Sequence, residues 1–178
     1  MTIPLPKLKA IIKYFCANTN PDLLGKTKLM KLFYFLDFSH IKKCGTSVTG
    51  DTYYNLEFGP IPTMIKNLVD LSEEKPESSL LSDVMEVQCK DGQEMHKIVC
   101  GRDFTKKDEE YFSPLEFETL ANVCKRFKDY STEQIVNASH QEAPWLKTRQ
   151  LEKISYELAA DDPDCLVRKE DIQLMSKI

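Results

Sequence analysis

An α+β fold, predominantly α-helical with a small antiparallel sheet, is what this sequence predicts. Three observations lead there. Apolar residues recur at helical spacing in about six or seven segments. One of these, about 25–43, is apolar on nearly every face and reads as a buried central helix. The β-capable runs 84–90 and 93–100 flank Asp91-Gly92, a pair that accepts the positive φ angles of a tight hairpin.

The first helix follows from Leu5, Leu8, Ile12 and Phe15, which share one helical stripe. Pro4 and Pro6 suit its first turn, where no N–H is needed, and 18–21 (NTNP) ends it. The central helix carries Leu29, Leu32, Phe33 and Leu36 as its main stripe. Met30, Tyr34, Phe35, Phe38 and Ile41 fill the other faces. Lys28, Lys31 and Asp37 within it argue against a membrane span. Lys42 and Lys43 followed by Gly45 close it.

Residues 52–58 alternate as a half-buried strand does. Tyr54, Leu56 and Phe58 point one way, and Tyr53, Asn55 and Glu57 the other. Tyr53, facing away from Leu56, is expected to be exposed. Gly59-Pro60 is expected to break the strand, and Ile61, Met64, Ile65, Leu68 and Val69 then form a helical stripe to about Ser72. A polar loop, 73–79, follows.

Ser113-Pro114-Leu115-Glu116 and Ser131-Thr132-Glu133-Gln134 are capping boxes that open two further helices. Phe117, Leu120, Cys124 and Phe127 form the buried stripe of the first, and the second ends near Ser139. Pro144 makes 140–145 irregular. Leu151, Ile154 and Leu158 suggest another helix, and a last one starts near Lys169. The total is six or seven helices and about three strands, in one domain over 1–178.

The bulk numbers agree with a globular chain. Of 178 residues, 42% are hydrophobic and 29% charged, which is ordinary for such proteins. The formal net charge of −4 gives no electrostatic reason to expect nucleic-acid binding, which rests on clustered Lys and Arg. No apolar run is long enough to cross a bilayer, and the N-terminus lacks a signal-peptide pattern, so a cytoplasmic location is expected. The six cysteines show no CxxC pair, and the expectation is six reduced thiols.

Motifs for catalysis are sparse. There is no GxSxG, no GxGxxG, no Walker loop and no metal-ligand spacing, so neither cofactor nor metal is expected. A base oriented by a carboxylate remains as an alternative, a hydrolase built on Asp51, His140 and Glu142. The commoner reading is structural: Asp51 fixes a turn and His140 locks the turn that seats Trp145. An exposed Tyr near a Gly-Pro loop is typical of a protein-binding surface.

Three segments carry a family resemblance. Lys28-Leu29-Met30-Lys31-Leu32-Phe33-Tyr34-Phe35-Leu36-Asp37-Phe38 is similar to an L-x-K-L-L-Y-x-A-D helix. Val48-Thr49-Gly50-Asp51 through Phe58-Gly59-Pro60-Ile61-Pro62 is similar to I-T-G-D-x-Y … Y-G-P-V-P, and Ser139-His140-x-Glu142-x-x-Trp145 to S-H-x-E-x-x-W. In this order and spacing they resemble the Panacea domain, the SocA-like antitoxin family also seen in phage- and mobile-element-associated proteins. The chain departs from it at Phe33 and Leu36, where Leu and Ala are commoner, and at Asn55, where a small residue often stands.

The resemblance implies a non-catalytic protein that neutralises a toxin encoded beside it by binding it directly. One branch of the family instead delivers its toxin to a bacterial protease. It implies a structural part for Lys31, Leu32, Tyr34, Asp37, Gly50, Asp51, His140, Glu142 and Trp145. Tyr53, Asn55, Phe58, Gly59 and Pro60 become the expected contact surface. Autoregulation through DNA, as in many antitoxins, has little support from an acidic chain without a clear helix-turn-helix.

Overall fold

In the computed structural model, residues 3–89 and 95–176 are described. The chain runs α1 (Leu5–Asn18), α2 (Lys26–Cys44), β1 (Tyr53–Leu56), β2 (Gly59–Pro62), α3 (Thr63–Glu74), β3 (Met85–Gln88) and β4 (Lys97–Cys100). Then come α4 (Lys106–Glu109), α5 (Pro114–Phe127), α6 (Thr132–Ser139), α7 (Ala143–Leu146), β5 (Lys153–Ile154) and α8 (Lys169–Met175). Short 3-10 turns occupy Pro76–Ser78 and Tyr156–Asp161. The α+β, mostly helical class stands, with more short elements than the sequence pattern resolves.

Helix α2 is the hub. Every residue from Lys28 to Asp37 is buried, because α5, α6 and β2 cover it on different sides. Phe33 meets Phe15 of α1 edge-on at 5.2 Å, and Phe35 meets Phe127 of α5 at 4.2 Å. Each such ring contributes roughly 1.5–3 kcal/mol by leaving water. Gly45 ends the helix at φ 79° with its N–H on the Ile41 carbonyl. Both capping boxes form as the sequence indicates, Ser113 with Glu116 and Ser131 with Gln134.

The sheet near α2 has the order β2-β1-β5, all antiparallel. Leu56 pairs with Gly59, so Glu57-Phe58 is a two-residue hairpin loop. Gly59-Pro60 therefore starts a strand where the sequence suggested a break. Helix α3 begins at Thr63, later than Ile61, because the Asp51 carboxylate accepts the N–H groups of Met64 and Ile65 and so fixes the first turn. The second sheet pairs β3 with β4 in the expected hairpin. Its Asp91-Gly92 turn lies outside the described residues.

Four expectations are corrected. The helix expected over 151–158 is instead β5 and a 3-10 turn, since Asn55 and Tyr53 of β1 take up the backbone there. Residues 140–142 are irregular as expected, but Pro144 does not prolong this; it stands in the first turn of α7, where its missing N–H costs nothing. The cysteines are not all reduced thiols: Cys16 of α1 and Cys100 of β4 form a disulfide across 84 residues. And the strand presents its other face to the core, as the next subsection describes. Among the described residues no helix is long and apolar enough to cross a membrane.

Candidate functional site

The polar residues of the three motif segments converge on the β1–β2 hairpin and its supports. Asp37, fully buried on α2, binds the turn before β1. Its Oδ1 accepts the N–H groups of Val48 and Thr49, each at 2.8 Å, and its Oδ2 accepts Tyr53 Oη at 2.8 Å and the Thr49 hydroxyl. Burial raises its pKa to about 6 against the pull of those four hydrogen bonds. Gly50 takes φ 66° within the same turn. Asp51 caps α3, and its carbonyl accepts the Tyr156 hydroxyl.

Tyr53 is 1% exposed, against the expectation of a solvent-facing ring. The reason is its hydroxyl, whose one proton has two acceptors in reach, Asp37 Oδ2 at 2.8 Å and the Phe33 carbonyl at 3.0 Å, and which can therefore be buried without loss. Asn55 is buried on the same face. Its Nδ2 donates to the carbonyls of Trp145 (3.2 Å) and Thr148 (2.7 Å), its N–H to Glu152 (3.0 Å), and its carbonyl accepts the Leu151 N–H (2.7 Å). Asn55 is thus the organiser of loop 145–152, where a small residue would leave that backbone unsatisfied.

Gly59 and Pro60 are likewise buried, not surface residues. At Gly59 the φ is 89°, and a Cβ there would lie 2.7 Å from Ser139 Oγ, 2.9 Å from Lys31 Cε and 3.2 Å from His140 Nε2. Lys31, with no exposed surface, donates to the Pro60 carbonyl at 2.9 Å. Burial lowers its pKa to about 7. The unfolded chain therefore binds this proton in a range where the folded one has shed it, and stability rises as pH increases from about 7 to about 10. Lys31→Met, which keeps the stem and removes the ammonium, is expected to abolish that rise. Urea midpoints at pH 7 and pH 9.5 check it.

Beyond Gly59, His140 stacks on Trp145 with ring centroids 3.9 Å apart. Burial, then the nearby Lys31 charge, lowers the His140 pKa, so the ring is neutral at pH 7. Its Nε2 and the Trp145 Nε1 are buried without a hydrogen-bond partner among the described residues. Glu142 accepts Tyr34 Oη at 2.9 Å and Lys42 Nζ at 3.0 Å. Burial alone would lower the Lys42 pKa; Glu142 and Asp162, the latter at 2.9 Å, hold it above its ordinary value. This pair ties α7 to α2. Leu32 is core.

Asp51, Glu142 and His140 do not act as one set here. The first serves the α3 backbone, the second Tyr34 and Lys42, and no hydrogen bond among the described residues joins any two of the three side chains.

Three large apolar side chains are exposed around the hairpin. Phe58 at the hairpin loop is 61% exposed, Leu146 61% and Leu151 71%. Leu56 lines a groove of about 250 Å³ with Phe58, Met30 and Val69, and a second groove of about 410 Å³ with Trp145 and Leu146. Leu151 follows Gln150, which also lines the second groove. It is the one non-glycine residue at positive φ, 67°, among those described. That left-handed conformation costs about 1–2 kcal/mol and persists because the Asn55 bonds fix it. Of the residues expected at the contact surface, only Phe58 is exposed. Leu146 and Leu151 were missed, although a lone Leu in the polar run Arg149-Gln150-Leu151-Glu152 was the available signal.

A helical α+β module that spends its motif residues on holding one hairpin, and presents apolar side chains beside it, is what fold and site define. The family model for the SocA-like antitoxin, Panacea domain, matches residues 29–146, more than half of the chain, and the chain belongs to this family. No curated protein and no solved structure matches it.

Proposed function

We propose that this protein is the antitoxin of a bacterial or prophage toxin–antitoxin pair and neutralises a toxin encoded nearby by binding it, without catalysis, in the cytoplasm. The observation that carries this reading, beside the family, is the exposure of Phe58, Leu146 and Leu151 around the hairpin, with Leu56 lining a groove with each of the first two. An exposed patch of this kind on a folded module marks a protein-binding site. The strain at Leu151 supports the same use, since a strained conformation that displays an apolar side chain is retained at functional sites.

Expression of the adjacent reading frame in a bacterial host, alone and with this protein, tests the reading. Arrest by the neighbour, rescue by this chain and co-purification of the two are expected. A harmless neighbour would sink it. A rescue accompanied by loss of the toxin itself would show delivery to a protease in place of direct neutralisation.

Two variants test the surface. Phe58→Asp is expected to weaken toxin binding about tenfold or more, as loss of an aromatic anchor does, with the urea midpoint nearly unchanged. Leu151→Asn should weaken binding while leaving stability equal or raised by about 0.5 kcal/mol, because Asn tolerates the left-handed region. Normal titration curves for both variants would place the interface elsewhere.

A further inference from the structure

Between α1 and β4 lies an open cleft of about 290 Å³, whose lining includes Lys13, Cys16, Lys97, Cys100, Arg102 and Asp103. Two of its three cations are neutralised by carboxylates, and Asp103 is itself in the lining. Lys13 is paired with Asp108 and Lys97 with Asp22, while Arg102 is exposed with no ion pair among the described residues. The Cys16–Cys100 disulfide forms part of the wall, and both cysteines are only half-buried.

The bond is not what docks this sheet. The Lys26 N–H donates to the His96 carbonyl and the Ile98 N–H to the Leu24 carbonyl, each at 2.9 Å. Met85 and Ile98, both 2% exposed, anchor β3 and β4 in the core. The disulfide can therefore open with the fold kept. A half-exposed disulfide in a cleft lined by an arginine without an ion pair has two features that favour exchange, access for the attacking sulfur and a cation available to an incoming anion.

We propose that Cys16–Cys100 is a thiol-exchange site and that its cleft receives a small anionic thiol of the glutathione class. The incoming thiolate attacks one of the two sulfurs. A new S–S bond forms to that cysteine, the Cys16–Cys100 bond breaks, and its electron pair leaves on the other cysteine as a thiolate in the cleft that Arg102 lines. One disulfide is consumed and one formed, so no further oxidant or reductant is needed. The reverse attack by the freed thiolate restores the bond and expels the small thiol. This site is separate from the hairpin surface and does not depend on the antitoxin reading.

The full chain, oxidised, would be incubated with reduced glutathione and analysed by intact mass and peptide mapping. One glutathionyl group is expected on Cys16 or Cys100, with the other recovered as a free thiol. Arg102→Glu should slow this exchange roughly threefold to tenfold, since it reverses a charge that steers the anion. The rate with 2-mercaptoethanol, which attacks as a thiolate but carries no carboxylates, should fall less. Cys16→Ser/Cys100→Ser should retain the circular dichroism of the parent and take up no adduct at these positions. The proposal is overturned if the untreated protein shows two free thiols there, if glutathione leaves the bond intact, if Arg102→Glu slows both thiols equally or neither, or if the double variant fails to fold.

Discussion

Replacing Asp37 by alanine is expected to destabilise the fold by about 3–5 kcal/mol, whereas Asp37→Asn should cost only about 1–2 kcal/mol. Alanine removes the Asp37 acceptor from the Val48 and Thr49 N–H groups and from the Thr49 and Tyr53 hydroxyls inside the core. Asparagine can keep Oδ1 on the two N–H groups. Its amide then donates to Tyr53, whose hydroxyl turns its proton to the Phe33 carbonyl already 3.0 Å away. The two variants also differ from the parent in pH dependence. With a folded pKa of about 6 against an ordinary 3.8, Asp37 holds in the native state a proton that the unfolded chain has released. Its contribution is greatest below about pH 4 and is lost as pH rises to about 6. Denaturant midpoints between pH 4 and pH 7 should show this fall in the parent and lack it in Asp37→Asn. An alanine variant as stable as the parent would mean that the turn before β1 is held some other way.

Local signals in the sequence translated directly into structure. The two capping boxes formed because each needs only residues three apart, and α2 was legible because a helix apolar on all sides has no stable place except the centre. The site was less legible, since its decisive bonds join distant segments. The tyrosines at 53 and 54 give the strand a large ring on either face, so alternation alone could not choose. The choice was made by Asp37, sixteen residues earlier, which offers an acceptor to Tyr53 only. Asn55 looked like a surface residue, and its burial rests on carbonyls of Trp145 and Thr148 some ninety positions on. Strand β5 is two residues long and has no pattern of its own to read. The pairing of Cys16 with Cys100 follows from β4 packing against α1, which no cysteine spacing encodes.

Gly59→Val is expected to cost about 3 kcal/mol or more, and Gly59→Ala about 2–3 kcal/mol, while Gly45→Ala should cost about 1 kcal/mol. Both glycines have positive φ, 89° and 79°, so the backbone strain is shared and the difference reports packing. At Gly45 a Cβ would meet Val167 at 3.4 Å, an ordinary contact. At Gly59 it would enter a space already filled by Ser139 Oγ and Lys31 Cε. Ser139 is committed to the Val136 carbonyl and Lys31 to that of Pro60, so neither can retreat without losing a buried hydrogen bond. Gly59 is therefore where α2, α6 and the hairpin touch, and its lack of a side chain lets Phe58 project beside it. Urea denaturation of the three variants checks the order. On the function proposed above, titration of Gly59→Ala with the toxin, performed well below its unfolding midpoint, should show weaker binding as well, because a displaced hairpin moves Phe58 relative to Leu146 and Leu151. Equal costs at the two glycines would show that the hairpin yields freely, and the rigid support of Phe58 on Lys31 and Ser139 would then have no energetic basis.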